Sequence, residues 1–171
     1  MYHDRKIVVL PEFEVGRYLP TVPYIIVSIT DPSKEAFIPP SRFKLGLLRL
    51  QFMDIDILIN GFEDFHWYNG EMLTDLCMQE SHAELVREFI NTHKDKAELL
   101  IVHCRAGISR SPSMSFAICD ALGLDRDIIE WWENWPHKEA PNRHVYELTK
   151  KAFQLSSTSQ EVVGTPEKEK L

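Results

Sequence analysis

The feature that most constrains this chain is a change of hydrophobic period around residue 104. Leu99, Leu100, Ile101 and Val102 form a short apolar run with β-branched residues, the pattern of a strand buried on both faces. After Pro112, the residues Met114, Phe116, Ala117, Ile118, Ala121 and Leu122 recur at helical spacing, and Gly123 follows as a stop signal. A helix is therefore expected to start close to Ser111, with Pro112 suited to its first turn. The chain must pass from strand to helix within the few residues that hold Cys104.

Such a loop has a defined chemistry. A short turn that ends in a helix N-terminus points several backbone N–H groups inward and adds the positive end of the helix dipole, which makes an anion site of phosphate size. Arg105, Ala106, Gly107, Ile108 and Ser109 supply that backbone, and Arg110 can close the cradle with a planar fork matched to two phosphate oxygens. Gly107 permits a positive φ where the turn requires one. A cysteine in this field is favoured as thiolate near neutral pH, and a thiolate facing bound phosphorus is a nucleophile.

The nonapeptide His103-Cys104-Arg105-Ala106-Gly107-Ile108-Ser109-Arg110-Ser111 resembles the signature His-Cys-x-x-Gly-x-x-Arg-Ser/Thr of cysteine-dependent protein tyrosine and dual-specificity phosphatases, and it matches at every specified position. The resemblance implies that Cys104 forms a thiophosphate intermediate and that Arg110 binds the phosphoryl group. It further implies that His103 orients the loop and that Ser111 assists Cys104 as leaving group. A Pro141-Asn142 pair before the last helix also resembles the dual-specificity pattern. From Tyr24 to Phe153 the order of elements is similar to that of compact bacterial or phage phosphatases. The family also implies a general-acid aspartate on a loop past the strand that precedes the helix leading to the cysteine strand. Asp54 is the first choice, with Asp56, Asp64 and Asp75 as alternatives, because this chain is longer than compact relatives between its third strand and that helix.

Other segments supply the frame. Lys6–Leu10, Tyr24–Ile29 and Leu45–Phe52 are expected strands, separated by Pro-containing connections. Residues 57–78 are aromatic, acidic and without a clear period. There Trp67 and Tyr68 either pack the insertion on the core or wall the pocket. Glu80–Thr92 is expected to be helical with Ser81 as N-cap, Asp127–Trp135 to form a short amphipathic helix, and His144–Phe153 to form a last helix capped by Asn142. Asp31 is most simply a turn residue, Asp120 a solvated helix residue, and Arg105 a loop cation able to meet acidic groups beside a phosphorylated side chain. The expected fold is α/β, with a central, largely parallel sheet of four to five strands flanked by helices. Residues 1–154 would form a single domain and 155–171 a disordered tail.

Composition narrows the partners. With 171 residues, 44% hydrophobic and a net charge of -7, the chain is an ordinary globular sequence that disfavours broad attraction to nucleic acid or anionic membrane. The cysteines Cys77, Cys104 and Cys119 show neither a disulfide framework nor zinc spacing, and His66 and His82 lack spaced partners. No metal or cofactor is expected, no stretch approaches the ~18 apolar residues of a membrane span, and a reducing cytoplasm is the default location. The expected partner is a phosphorylated protein or a small phosphate monoester. A nucleic-acid 5′-phosphatase, a non-catalytic phosphate-binding module, and a sulfur-transfer or arsenate-reducing enzyme share the loop and stand as alternatives. A papain-like Cys-His pair is disfavoured, because His103 and Cys104 would point to opposite faces of one strand.

Overall fold

The apolar run at 99–104 lies in the middle of a sheet. The computed structural model describes residues 6–57, 67–68, 71–132 and 139–158. Its strands are β1 (Lys6–Pro11), β2 (Tyr24–Thr30), β3 (Lys44–Gln51), β4 (Trp67–Tyr68), β5 (Glu71–Met72), β6 (Leu99–Cys104) and β7 (Ile129–Trp131). Its helices are α1 (Glu12–Val15), α2 (Leu73–Leu76), α3 (Glu80–His93), α4 (Arg110–Leu122) and α5 (Arg143–Thr158). Five strands form one sheet in the order β3-β2-β6-β1-β7, and each neighbouring pair is parallel. The expected α/β architecture is the observed one.

The pleat divides the apolar residues between two layers. Ile7, Val9, Ile25, Val27, Leu100 and Val102 face the helices α3, α4 and α5 in one buried cluster. Val8, Leu10, Tyr24, Ile26, Leu99 and Ile101 face the other way, under Val15 of α1 and under Ala36, Ile38 and Phe43 of the β2–β3 connection. Burial on both faces explains the near-continuous apolar runs of β1, β2 and β6. The edge strand β3 is only half-buried and alternates more.

The strand order also creates the site. From β2 the chain leaves to β3 on one side, and from β6 it leaves to β7 on the other. Connections diverging from adjacent parallel strands open a crevice at their C-terminal ends, the usual place for a ligand in an open α/β sheet. Cys104 ends β6, and Asp31 follows the end of β2.

Several local expectations are corrected. The described part of the expected Asp127–Trp135 helix, residues 127–132, is not an amphipathic helix. A single 3-10 turn at Arg126–Ile128 leads into β7, where Ile129 and Trp131 alternate toward the core and the Trp132 N–H donates to the Val9 carbonyl at 3.1 Å. The open edge of β1 supplied backbone partners that outweighed a short and ambiguous period; residues 133–138 lie outside the described residues. Ser81 is not the N-cap of α3. Gln79 is, in a reciprocal box in which the His82 ring Nδ1 accepts from the Gln79 N–H at 3.0 Å. The expected connection after β1 contains the short helix α1, and α5 continues to Thr158, four residues into the expected tail. Residues 159–171 lie outside the described residues. Asp120 is not simply solvated: Arg126 donates to it twice, at 2.8 and 2.6 Å, and the Tyr146 hydroxyl donates at 2.5 Å, which ties α4 to α5.

Gly123 ends α4 with φ +64, and Asn142 caps α5 by accepting the Val145 N–H at 3.0 Å, both as expected. In the insertion, β4 and β5 pair antiparallel and lead into α2. The choice between the two readings of Trp67 and Tyr68 concerns side chains outside the described structure. Phe62, Asp64, Phe65 and His66 also fall outside it. No described helix is long and apolar enough to cross a membrane.

Candidate active site

Cys104 is the last residue of β6, and α4 begins at Arg110, so the turn between them is only five residues long. It is held down at two points. The Glu12 N–H donates to the Arg105 carbonyl at 3.2 Å. Gly107 adopts φ +72, and a Cβ there would lie 2.9 Å from the Pro11 nitrogen and 3.0 Å from the Leu10 carbonyl carbon. Both the left-handed backbone and the approach to β1 require glycine at this position.

The turn opens onto a cavity of about 310 Å³, lined by Asp31, Met53, Asp54, Cys104, Arg105, Ala106, Ile108, Ser109 and Arg110. The Ser111 hydroxyl donates to the Cys104 Sγ at 3.1 Å, and both side chains are buried. Arg110 is also buried, at 3% exposure. Its Nη1 donates to the Phe52 carbonyl at 2.6 Å and pairs with Asp31 Oδ1 at 3.0 Å. Its Nε has no hydrogen-bond partner among the described residues. A buried guanidinium N–H left open is costly unless an acceptor completes it.

His103 points to the opposite face of the sheet from Cys104. Its Nε2 is 2.7 Å from the Ser28 hydroxyl, and the ring has no solvent exposure. Burial pushes its pKa down to about 4, partly opposed by the Cys104 main chain, with the charges of Arg49 and Arg110 adding to the depression. The ring is therefore neutral at physiological pH, a packing and orienting element between β2 and β6.

Of the four aspartates expected as alternatives for one role, the three among the described residues separate clearly. Asp54 lines the cavity, and its Oδ1 accepts from the Ser109 hydroxyl at 2.7 Å and from the Asn142 amide at 2.9 Å. No described residue donates to its Oδ2. Asp56 instead turns to the start of α5, where its two oxygens accept the Arg143 and His144 N–H groups at 2.6 and 3.3 Å, and it does not line the cavity. A carboxylate there complements the helix dipole. Asp75 is exposed on α2 and does not line the cavity either, and Asp64 lies outside the described residues.

Three contributors escaped the sequence reading. Asp31, taken as a turn residue, is the ionic partner of Arg110 and stands 3.9 Å from Arg105. Its position at the end of a strand next to β6 was the available signal, but it needed the strand order. Ser28 is legible only through its pairing with His103 across two neighbouring strands. Asn142 was expected as a cap and as part of a Pro-Asn pair, with no role at the cavity, yet its main-chain N–H also donates to the Ser113 hydroxyl at 2.8 Å and its side-chain amide reaches Asp54. Among the described residues, no group of three or more His, Cys, Asp or Glu side chains is placed to hold a metal ion.

Compared with protein-family models, curated proteins and solved structures, the chain matches none.

Proposed function

We propose that this protein hydrolyses phosphate monoesters, phosphotyrosine in proteins first among them, through a cysteinyl-phosphate intermediate. The observation that carries the reading is the unpartnered Nε of buried Arg110, a residue that lines the same cavity as Cys104. A phosphoryl group seated in the turn would accept from that N–H and from the loop backbone, completing the fork that Asp31 and the Phe52 carbonyl already orient.

In the first step the Cys104 thiolate attacks phosphorus, an S–P bond forms, and the P–O bond to the substrate breaks. Asp54, as the neutral acid, gives its proton to the departing oxygen. In the second step water attacks phosphorus, the Asp54 carboxylate takes a proton from it, and the S–P bond breaks to release inorganic phosphate. The Ser111 hydroxyl, 3.1 Å from Sγ, stabilises the thiolate as it leaves. Ser109 and Asn142 hold the Asp54 carboxyl at the mouth. This division of roles is the one that the resemblance to cysteine-dependent phosphatases implies.

The test is turnover of para-nitrophenyl phosphate and of a phosphotyrosine peptide. Wild type should release phosphate and be inhibited by vanadate. Cys104→Ser should release none while still binding phosphate analogues, and Arg110→Lys should be severely impaired, since a point charge cannot reproduce the fork. Phosphate binding by the wild type without turnover would identify a binding module instead. Turnover by Cys104→Ser near the wild-type rate would remove the proposed nucleophile.

A further inference from the structure

Beside the cysteine cavity lies a second one of about 550 Å³, lined by Glu12, Phe13, Gly16, Arg17, Phe37 and Arg105. Arg105 lines both, so the two meet at that side chain. The fold does not account for the aromatic walls. Phe13 is 60% exposed and Phe37 73% exposed, so neither ring serves the core. Phe13 is nonetheless held in place by an edge contact with Trp132, the ring centroids 5.2 Å apart. Gly16 forms part of the floor: a Cβ there would lie 3.4 Å from the Phe37 carbonyl oxygen and 3.5 Å from its ring, so the bare backbone keeps the space open.

Charge and apolar surface combine here. The Arg17 and Arg105 side chains are 80% and 72% exposed, and each meets its carboxylate neighbour, Glu14 or Asp31, only at 3.9 Å. Such loose, exposed pairs contribute little and exchange readily for another acid. In a chain with net charge -7, two accessible guanidiniums beside exposed aromatic rings make a local surface that is cationic and apolar at once. Exposed apolar patches next to a reactive cavity mark recognition surfaces.

Resting on the phosphatase reading above, we propose that this groove is a peptide subsite. It receives an aromatic or bulky aliphatic side chain that flanks the phosphorylated residue of a protein substrate, while Arg17 and Arg105 meet an acidic neighbour. Its volume lies in the range of pockets that enclose such groups, about 300–1,000 Å³. Glu12 within the groove and the overall acidity disfavour a polynucleotide, whose backbone calls for a continuous track of cations. A small phosphate monoester that fills the cysteine cavity does not reach it.

The experiment compares wild type, Phe13→Ala, Phe37→Ala and Gly16→Leu. The two phenylalanines are exposed, and Gly16 has φ -70 and ψ -12, a conformation open to any residue, so the fold tolerates all three changes. Substrates are para-nitrophenyl phosphate, phosphotyrosine peptides flanked by Phe and Glu, matched peptides flanked by Ala, and a 5′-phosphorylated oligonucleotide. Wild type should favour the Phe- and Glu-flanked peptides by about tenfold in kcat/KM. Phe37→Ala and Gly16→Leu should erase that preference and leave para-nitrophenyl phosphate turnover within about twofold. Peptide binding to Cys104→Ser reads the groove without catalysis, so failure of the hydrolase reading and failure of the subsite are separable. Equal affinity and equal kcat/KM for both peptide classes, or a preference that survives both variants, would overturn the subsite. Preference for the oligonucleotide over every peptide would overturn it as well.

Discussion

The Ser111 hydroxyl lies 3.1 Å from the Cys104 sulfur, on the first turn of the helix that starts where the cysteine turn ends. Ser111 is fully buried, and Ser115 in turn donates to its carbonyl at 2.8 Å, so the hydroxyl is presented from a rigid segment. In the proposed mechanism a donor so placed would act on sulfur as charge returns to it, when the intermediate breaks down. Ser111→Ala should therefore slow the second step by about 10- to 100-fold, the worth of one hydrogen bond to a charged group. Rapid-quench kinetics should show a burst of para-nitrophenol ahead of slow phosphate release, and loss of the burst with unchanged steady-state rate would exclude the role.

Asp54 and Asp56 should behave oppositely. Asp54→Asn should lower the rate on phosphotyrosine by about 10² to 10⁴, and by far less on an aryl ester of an acidic phenol that needs no proton. Asp56→Asn should retain turnover within a few fold but lower the melting temperature, because Asp56 accepts two N–H groups at the start of α5, a loss of about 1 kcal/mol. Retained activity in Asp54→Asn with loss in Asp64→Asn would transfer the acid to the insertion.

Buried His103 makes stability depend on acid. Its folded pKa of about 4 lies below the ordinary value of 6.5, so the unfolded chain binds more protons than the folded one between those two values. Stability is complete above about pH 6.5, falls as the pH drops toward 4, and loses up to about 3 kcal/mol from this group. His82, also lowered by burial, acts in the same direction. Urea unfolding of His103→Gln across this window should show a shallower slope than wild type, with the His82 contribution remaining. An unchanged slope would mean that His103 is not buried as a neutral ring.

The three cysteines should separate by reactivity. Burial raises the Cys77 thiol, and burial followed by the Asp120 charge pushes Cys119 up to about 12. Cys104 alone among them lines a cavity with Arg110. Iodoacetamide should label Cys104 first, with phosphate or vanadate protecting it. Peptide mapping that found Cys77 or Cys119 modified first, with turnover intact, would contradict this.

What the sequence determined by itself is local. The strand-to-helix switch at 99–122, the glycine at 107, the cap at Asn142 and the Cys104-to-Arg110 turn depend on periodicities and residue types within a few positions of one another, and they are legible without a fold. The parallel sheet followed from strands alternating with helices. What only the tertiary structure decided lies between segments distant in the chain. Asp54 and Asn142 are 88 residues apart and still share a hydrogen bond. Asp31 meets Arg110 because β2 lies next to β6, and Asp56 is drawn away because α5 starts beside it. Residues 129–131 form a strand for the same reason, since an open edge of β1 offered partners that no local pattern displays. Side-chain period records which face a residue buries. Which of several carboxylates shares the cysteine's cavity is set by the order in which parallel strands lie side by side, and that order is fixed only when the whole sheet assembles.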